Sequence, residues 1–334
     1  MISFPRIILR TAALLCMLPA GLTGCKASGN ESSGAATQPP FMSAAASAPP
    51  QTTDDAPPPE KTGGFDGKRA FAHVAKQVSF GPHPSGSPAI VQVQDYLFSE
   101  LKSYGCTVET DAFSSGTPAG RLPMKNILVK IPGDKPGVIL LGTHYDTKKL
   151  DNFVGADDGG SSTGVMLELA RLLCTQHGRF AVWITFFDGE EAVKDWSDTD
   201  SRYGSRQMAA RLAINGDISN IKAFLLADLV GTRTPHFKRE SNSTKWLVDF
   251  VWETARKLGY SNVFLDQSAP IDDDHDPFLK RNVPSADVID LDYGPGGDVS
   301  YWHTPQDSLD KISAKSLAMV GHVFLESVKQ LQQK

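Results

Sequence analysis

The chain has 334 residues, 40% of them hydrophobic and 21% charged, a composition that suits a soluble globular protein and excludes a bulk membrane protein. Its 33 Lys and Arg against 38 Asp and Glu give a net charge of -5, with no cationic excess to neutralise a phosphate backbone, so nucleic acid is not an expected partner. Metal-dependent chemistry on a polar substrate stays open.

At the N-terminus, Arg6 and Arg10 precede a short apolar run, residues 12–22, which ends in Leu22-Thr23-Gly24-Cys25. The run is too short to span a bilayer and has the anatomy of a signal peptide over residues 1–24. Its ending resembles a bacterial lipobox, in which the cysteine is acylated and heads the mature chain. Cys25 is therefore the expected lipidation site, and the protein is expected to be exported and held by its lipid at a membrane of the cell envelope, facing the periplasm. Residues 25–64 are rich in Ala, Ser, Gly, Thr and Pro and are expected to form a disordered tether. Residues 65–334 then make one large catalytic domain. Its two cysteines, Cys106 and Cys174, are expected to be buried thiols more than a bridge, with pairing left open.

Within the domain, short continuous apolar runs at residues 138–141, 180–187, 223–227 and 286–291 predict buried strands of a mainly parallel sheet. Residues 106–113 and 126–131 predict further strands at an antiparallel edge. Helical spacing follows in Val165, Leu169, Leu172 and Leu173, in Trp246, Phe250 and Val251, and in Leu317, Val320, Phe324 and Val328. Strands alternating with helices indicate an α/β fold, a three-layer sandwich around a central mixed, mainly parallel sheet. Trp183 and Trp246 read as core residues.

Open α/β sheets place their sites beyond the carboxyl ends of their strands, and here every such end carries a residue able to bind metal. His144-Tyr145-Asp146 follows the first run, Asp188-Gly189-Glu190-Glu191 the second, Asp228 the third, and Trp302-His303-Thr304 lies beyond the fourth. Asp158 stands in the glycine-rich turn 155–160, just before a helix. Any one of these alone would be a cap or a solvated loop charge, but solvated charge has no reason to recur at the same end of four strands. Two imidazoles with carboxylates suit zinc.

These residues, in this order, resemble the zinc aminopeptidase superfamily. Four stretches are similar to its glutaminyl-peptide cyclotransferase, or glutaminyl cyclase, branch: residues 186–192 with Trp196, residues 203–206, residues 273–278 followed by Val283-Pro284, and residues 301–304. The resemblance implies a zinc-dependent exopeptidase-like fold and one zinc held by Asp158, Glu191 and His303. It makes Glu190 the general acid/base, with Asp228 and Asp273 in a hydrogen-bonded acidic network beside it, and lines the substrate pocket with Trp196 and Trp302. The implied substrates are peptides or proteins with N-terminal glutamine, cyclised to pyroglutamate with loss of ammonia. The alternative is a two-zinc aminopeptidase, in which His144 is the second-metal candidate and joins Asp228 and a bridging Asp158. Thr143 and Thr163 stand where the animal cyclases carry a cysteine pair.

Overall fold

The computed structural model describes residues 56–334, so the expected signal peptide, Cys25 and most of the expected tether lie outside the described residues. The described residues begin ahead of Phe65. Residues 59–61 form a 3-10 turn, and the buried Thr62 hydroxyl donates to the Phe65 carbonyl at 2.6 Å, so the last residues assigned to the tether pack as part of the domain.

The core is a six-stranded mixed sheet built from β1 (Val108–Thr117), β2 (Gly120–Ile131), β3 (Gly133–His144), β4 (Gly178–Phe187), β5 (Ile221–Asp228) and β8 (Ser285–Ile289), in the spatial order β1-β2-β4-β3-β5-β8. The pairs β4·β3, β3·β5 and β5·β8 are parallel, while β1·β2 and β2·β4 are antiparallel, which puts the antiparallel hairpin at one edge as expected. Alternation along β3 shows why the sheet is covered twice. Ile139 and Leu141 join one apolar cluster and Val138 and Leu140 the other, because successive side chains leave a strand on opposite faces.

The larger cluster is closed by α1 (Gly67–Val78), α2 (Pro88–Ser103), α3 (Gly160–Leu173), α5 (Lys245–Lys257) and α7 (Ala314–Leu331), the smaller by α4 (Tyr203–Asn215) and the short α6 (Asp276–Leu279). The three-layer expectation holds. Local chemistry starts the outer helices: Asp66 accepts from the Lys68 and Arg69 N–H groups at the head of α1, and Ser87 caps α2 with Pro88 at its first position. Gly67 and Gly321 let helices meet, since a Cβ on Gly67 would lie 2.1 Å from the Ala314 carbonyl oxygen and one on Gly321 would lie 2.2 Å from the Phe65 ring.

Three features depart from the sequence reading. Cys106, just before β1, and Cys174, at the end of α3, are joined in a disulfide with Cα atoms 5.1 Å apart. Trp246 is 45% exposed, and it is Trp252, on the inner face of α5, that belongs to the core; Trp183 packs half-buried against the smaller cluster. A small parallel pair, β6 (Phe237–Glu240) and β7 (Phe264–Ala269), stands apart from the main sheet. No helix among the described residues is long and apolar enough to cross a membrane.

Candidate active site

The site forms where the parallel strands end. His144 is the last residue of β3, Glu190 and Glu191 follow β4, Asp228 ends β5, and His303 comes from the loop beyond β8; Asp158 lies in the turn before α3. Two buried carboxylates hold the loops that carry these groups. Asp146 accepts the N–H groups of Glu190 and Glu191 at 3.0 and 3.3 Å, and Asp307 those of Asp157 and Asp158 at 2.7 and 3.1 Å together with the Tyr293 hydroxyl at 2.7 Å.

His144 places Nδ1 3.2 Å from the Asp146 carbonyl oxygen and Nε2 3.1 Å from Asp228 Oδ1 and 3.3 Å from Asp158 Oδ1. A proton on Nδ1 given to that carbonyl leaves the Nε2 lone pair for a metal. Gly159, at φ +79°, must be glycine, because a Cβ there would lie 2.8 Å from His144 Cε1. In place of a cysteine pair, the Thr143 hydroxyl lies 2.7 Å from that of Ser162 and the Thr163 hydroxyl donates to the His144 carbonyl at 2.9 Å, tying β3 to α3.

His303 Nε2 is 3.1 Å from Glu191 Oε1 and 3.2 Å from Asp158 Oδ2, and the Trp302 ring stacks on it with centroids 3.9 Å apart. Its φ of +54° is an uncommon conformation for a non-glycine residue. Asp158 thus stands between two imidazoles, and two donor groups share it: Asp158, Glu191 and His303, and His144, Asp158 and Asp228. In each, the donor atoms lie within 4.8 Å of one another. Despite its nearness to His303, Asp158 Oδ2 is buried without a hydrogen bond, as a coordinating oxygen would be.

The electrostatics point the same way. Burial works against charge on His303, but the neighbouring carboxylates of Asp158 and Glu191 hold its pKa up at about 9. Burial likewise opposes charge on His144, yet Asp228 and Glu190 raise its pKa well above the usual value. Imidazoles that cling to protons measure how much positive charge the surrounding carboxylates need, a need that a dication meets better. Glu190 is different: burial first, then Glu191 and Asp273, push its carboxyl well above the usual range against the pull of His144. It belongs to neither donor group.

All of this faces a cavity of about 660 Å³. Glu190, Glu191, Asp158, Asp228, Asp273 and His303 line it, with the partly exposed Trp196 and Trp302 at its rim. Arg202, almost fully buried, sets the Trp196 side of the rim: its guanidinium pairs with Asp276 at 2.7 Å and lies 5.3 Å from the Trp196 ring. The Arg202 backbone N–H donates to the Glu190 carbonyl at 2.7 Å, which ties the rim to the turn that carries Glu190.

The acidic network expected among Glu190, Asp228 and Asp273 is drawn differently. The three share the cavity, but Asp228 Oδ1 lies 3.1 Å from His144 Nε2 and accepts the Leu229 N–H, and Asp273 Oδ1 accepts the Asp274 N–H. His144, expected beside the metal, points Nε2 into a donor group of its own. The sequence reading missed Lys148, whose ammonium is 3.2 Å from Glu191 Oε2, and Asp307, whose only signal is its place four residues after His303. It also missed the apolar wall of Ile271, Ile289 and Leu291, of which the last two alternate where β8 runs out toward the cavity.

Comparison with known proteins agrees with this geometry. The profile of peptidase family M28 matches residues 126–328. The glutaminyl-peptide cyclotransferase of Boiga irregularis is 31% identical over 283 residues, covering 72% of this chain and 76% of that protein. The solved glutaminyl cyclase of an Acidobacteriales bacterium superposes with a TM-score of 0.76 at 40% identity, covering 86% of this chain and 98% of that one. The Porphyromonas gingivalis glutaminyl cyclase gives 0.74 at 31% identity, covering 80% and 99%.

Proposed function

The chain belongs to peptidase family M28, in its glutaminyl cyclase branch, and from that premise we propose that it cyclises N-terminal glutamine of peptides or proteins to pyroglutamate with release of ammonia, using one zinc ion. The observation that carries the reading is the division of labour between adjacent residues: Glu191 sits in a donor group with Asp158 and His303, while Glu190 stands outside both groups, buried and with a raised pKa.

Asp158, Glu191 and His303 would hold the metal, which supplies Lewis-acid polarisation of the substrate γ-carboxamide carbonyl. Glu190 accepts a proton from the α-amine as the amine nitrogen bonds to the carbonyl carbon (Cδ) of that carboxamide. It returns that proton to the departing nitrogen as the carbon–nitrogen bond of the carboxamide breaks, so the products are the five-membered lactam and ammonia. Because nucleophile and electrophile belong to one residue, the cavity's task is to hold them in an attacking pose, and Trp196 and Trp302 close its rim around the side chain. A high pKa at Glu190 suits a group that must take and return a proton within one turnover.

The donor group of His144, Asp158 and Asp228 supports a second reading, a two-metal aminopeptidase. One experiment separates the two. The purified protein is offered a Gln-initiated and a Leu-initiated peptide, with ammonia and free leucine measured beside the metal content. Ammonia with one zinc per chain is expected; leucine release with two essential zincs would replace the cyclase reading.

The sequence of residues 1–25 supports export and acylation of Cys25, which would place this chemistry at the cell envelope.

A further inference from the structure

We propose that the end of the sheet opposite the active site is a docking surface for an anionic lipid bilayer. The surface is made where β3, β4 and β5 begin and the chain after α7 ends. A second cavity there, of about 620 Å³, is lined by Lys135, Arg179, Phe180, Lys222, Trp246 and Lys334. Along β3, Lys135 and His144 stand about 30 Å apart at the usual rise per strand residue, so this cavity and the catalytic one open at opposite ends.

The four cations are exposed, and none makes an ion pair among the described residues. Their side chains lean on apolar surface instead. Lys222 Nζ and the Arg179 guanidinium lie 4.9 and 5.0 Å from the Phe180 ring centroid, and Lys334 Nζ lies 4.1 Å from that of Phe250 and 5.7 Å from that of Trp246. Gly137, at φ +133°, gives the Lys222 stem its bed, since a Cβ there would sit 2.3 Å from Lys222 Cε. Of the acidic side chains Asp134, Asp217 and Asp249, the last is paired with Lys245 and Arg239, while Asp134, 2.7 Å from the His177 imidazole, and Asp217 stand against the four cations. In a chain of net charge -5, four cations outside any ion pair among the described residues line this one cavity.

Two observations favour a bilayer over an acidic peptide. The cations come from four separate segments and so form a two-dimensional patch, which matches a plane of phosphates better than a line of carboxylates. The same end of the sheet exposes apolar groups, Trp246 at 45% and, where α4 runs out toward the start of β5, Ile214 at 86%. An indole beside lysines, with an aliphatic side chain open to solvent, is the composition that settles at the boundary between headgroups and acyl chains. Docked in this way, the catalytic cavity faces away from the membrane and stays open to peptides in solution. The proposal does not depend on what that cavity catalyses.

The test uses the chain from residue 25 onward with Cys25→Ser, so that no acyl group contributes. Sedimentation with vesicles of equimolar phosphatidylglycerol and phosphatidylcholine is compared with vesicles of phosphatidylcholine alone. Binding to the anionic vesicles only is expected, with a blue shift of tryptophan emission that Trp246→Phe abolishes. The variant Lys135→Glu/Lys222→Glu/Lys334→Glu should bind more than about a hundredfold more weakly, since loss of three cations at about fivefold each already accounts for that factor before the added repulsion of three carboxylates. An unchanged thermal midpoint certifies its folding, and the corresponding Lys→Gln triple is scored if that midpoint falls. Equal binding to both kinds of vesicle, or sedimentation of the charge-reversed variant like the parent, would overturn the proposal. So would displacement from vesicles by soluble polyglutamate at matched charge, which would point to an acidic polypeptide as the partner.

Discussion

At the carboxyl end of the sheet the charged groups are buried and crowded, with Asp158, Glu190, Glu191, Asp228 and Asp273 each less than a tenth exposed. At the amino end Lys135, Arg179 and Lys222 stand in water with little around them. The same strands carry both arrays, so the difference lies in the connections. Beyond the carboxyl ends, long loops fold back over the site and exclude solvent; at the amino ends, the 3-10 turn of residues 217–220 and the short approaches to β3 and β4 leave the first strand residues uncovered. A buried carboxylate cluster is stable only when something supplies positive charge, whereas an exposed lysine costs almost nothing to keep. One end is therefore built for a bound cation and the other for an anionic partner.

The most severe way to break the contrast is to take the cation away. Chelation should abolish turnover and lower the thermal midpoint, because a ligand that binds only the folded state stabilises it, and added zinc should restore both. Restoration by one equivalent supports the group of Asp158, Glu191 and His303 alone; a requirement for two brings in His144 and Asp228. Glu190→Gln should lower turnover on the order of a hundredfold or more while metal content holds, and Glu191→Gln should release metal. A Glu190→Gln protein that cyclises at nearly the parent rate would remove Glu190 from the chemistry. Asp307→Asn, which weakens the acceptor of the Asp157 and Asp158 N–H groups, is expected to reduce metal affinity about tenfold or more, read by competition with a chromogenic chelator.

Away from the site the effects should be on stability or on nothing. The disulfide closes a separation of 68 residues, so Cys106→Ser with Cys174→Ser should cost about 4 kcal/mol of stability. That corresponds to roughly 10 °C in midpoint for a domain of this size, seen by calorimetry, with turnover per folded molecule unchanged. The smallest expected effect is that of Lys135→Glu or Lys222→Glu on catalysis, which should be none. A loss of turnover there would join two ends that the structure keeps apart.

Much of the site was legible beforehand because of how parallel sheets are made. A strand buried on both faces must be apolar along its length, so a polar residue at its end stands out, and His144, Glu190, Asp228 and the turn holding Asp158 were all visible as such interruptions. Trp246 reads as core from its spacing to Phe250 and Val251, but spacing does not show where the covering elements stop, and although Val251 is buried and Phe250 packs against the core, Trp246 stays 45% exposed. The hydrogen bonds of Asp228 and Asp273 were equally out of view, since they depend on which of several nearby donors each carboxylate meets.

The sequence by itself determined the layer architecture, the strand ends that carry the chemistry and the residue types gathered there, because strand and helix periodicity are local properties of the chain. Only the tertiary structure decided that Asp158 is shared between two imidazoles, that Cys106 meets Cys174, and that Lys135, Arg179, Lys222 and Lys334 line one cavity. Each of these is a distance between segments remote in the chain. Such distances are set by how helices and loops pack across the sheet, a balance of many small contacts that no single stretch of sequence encodes.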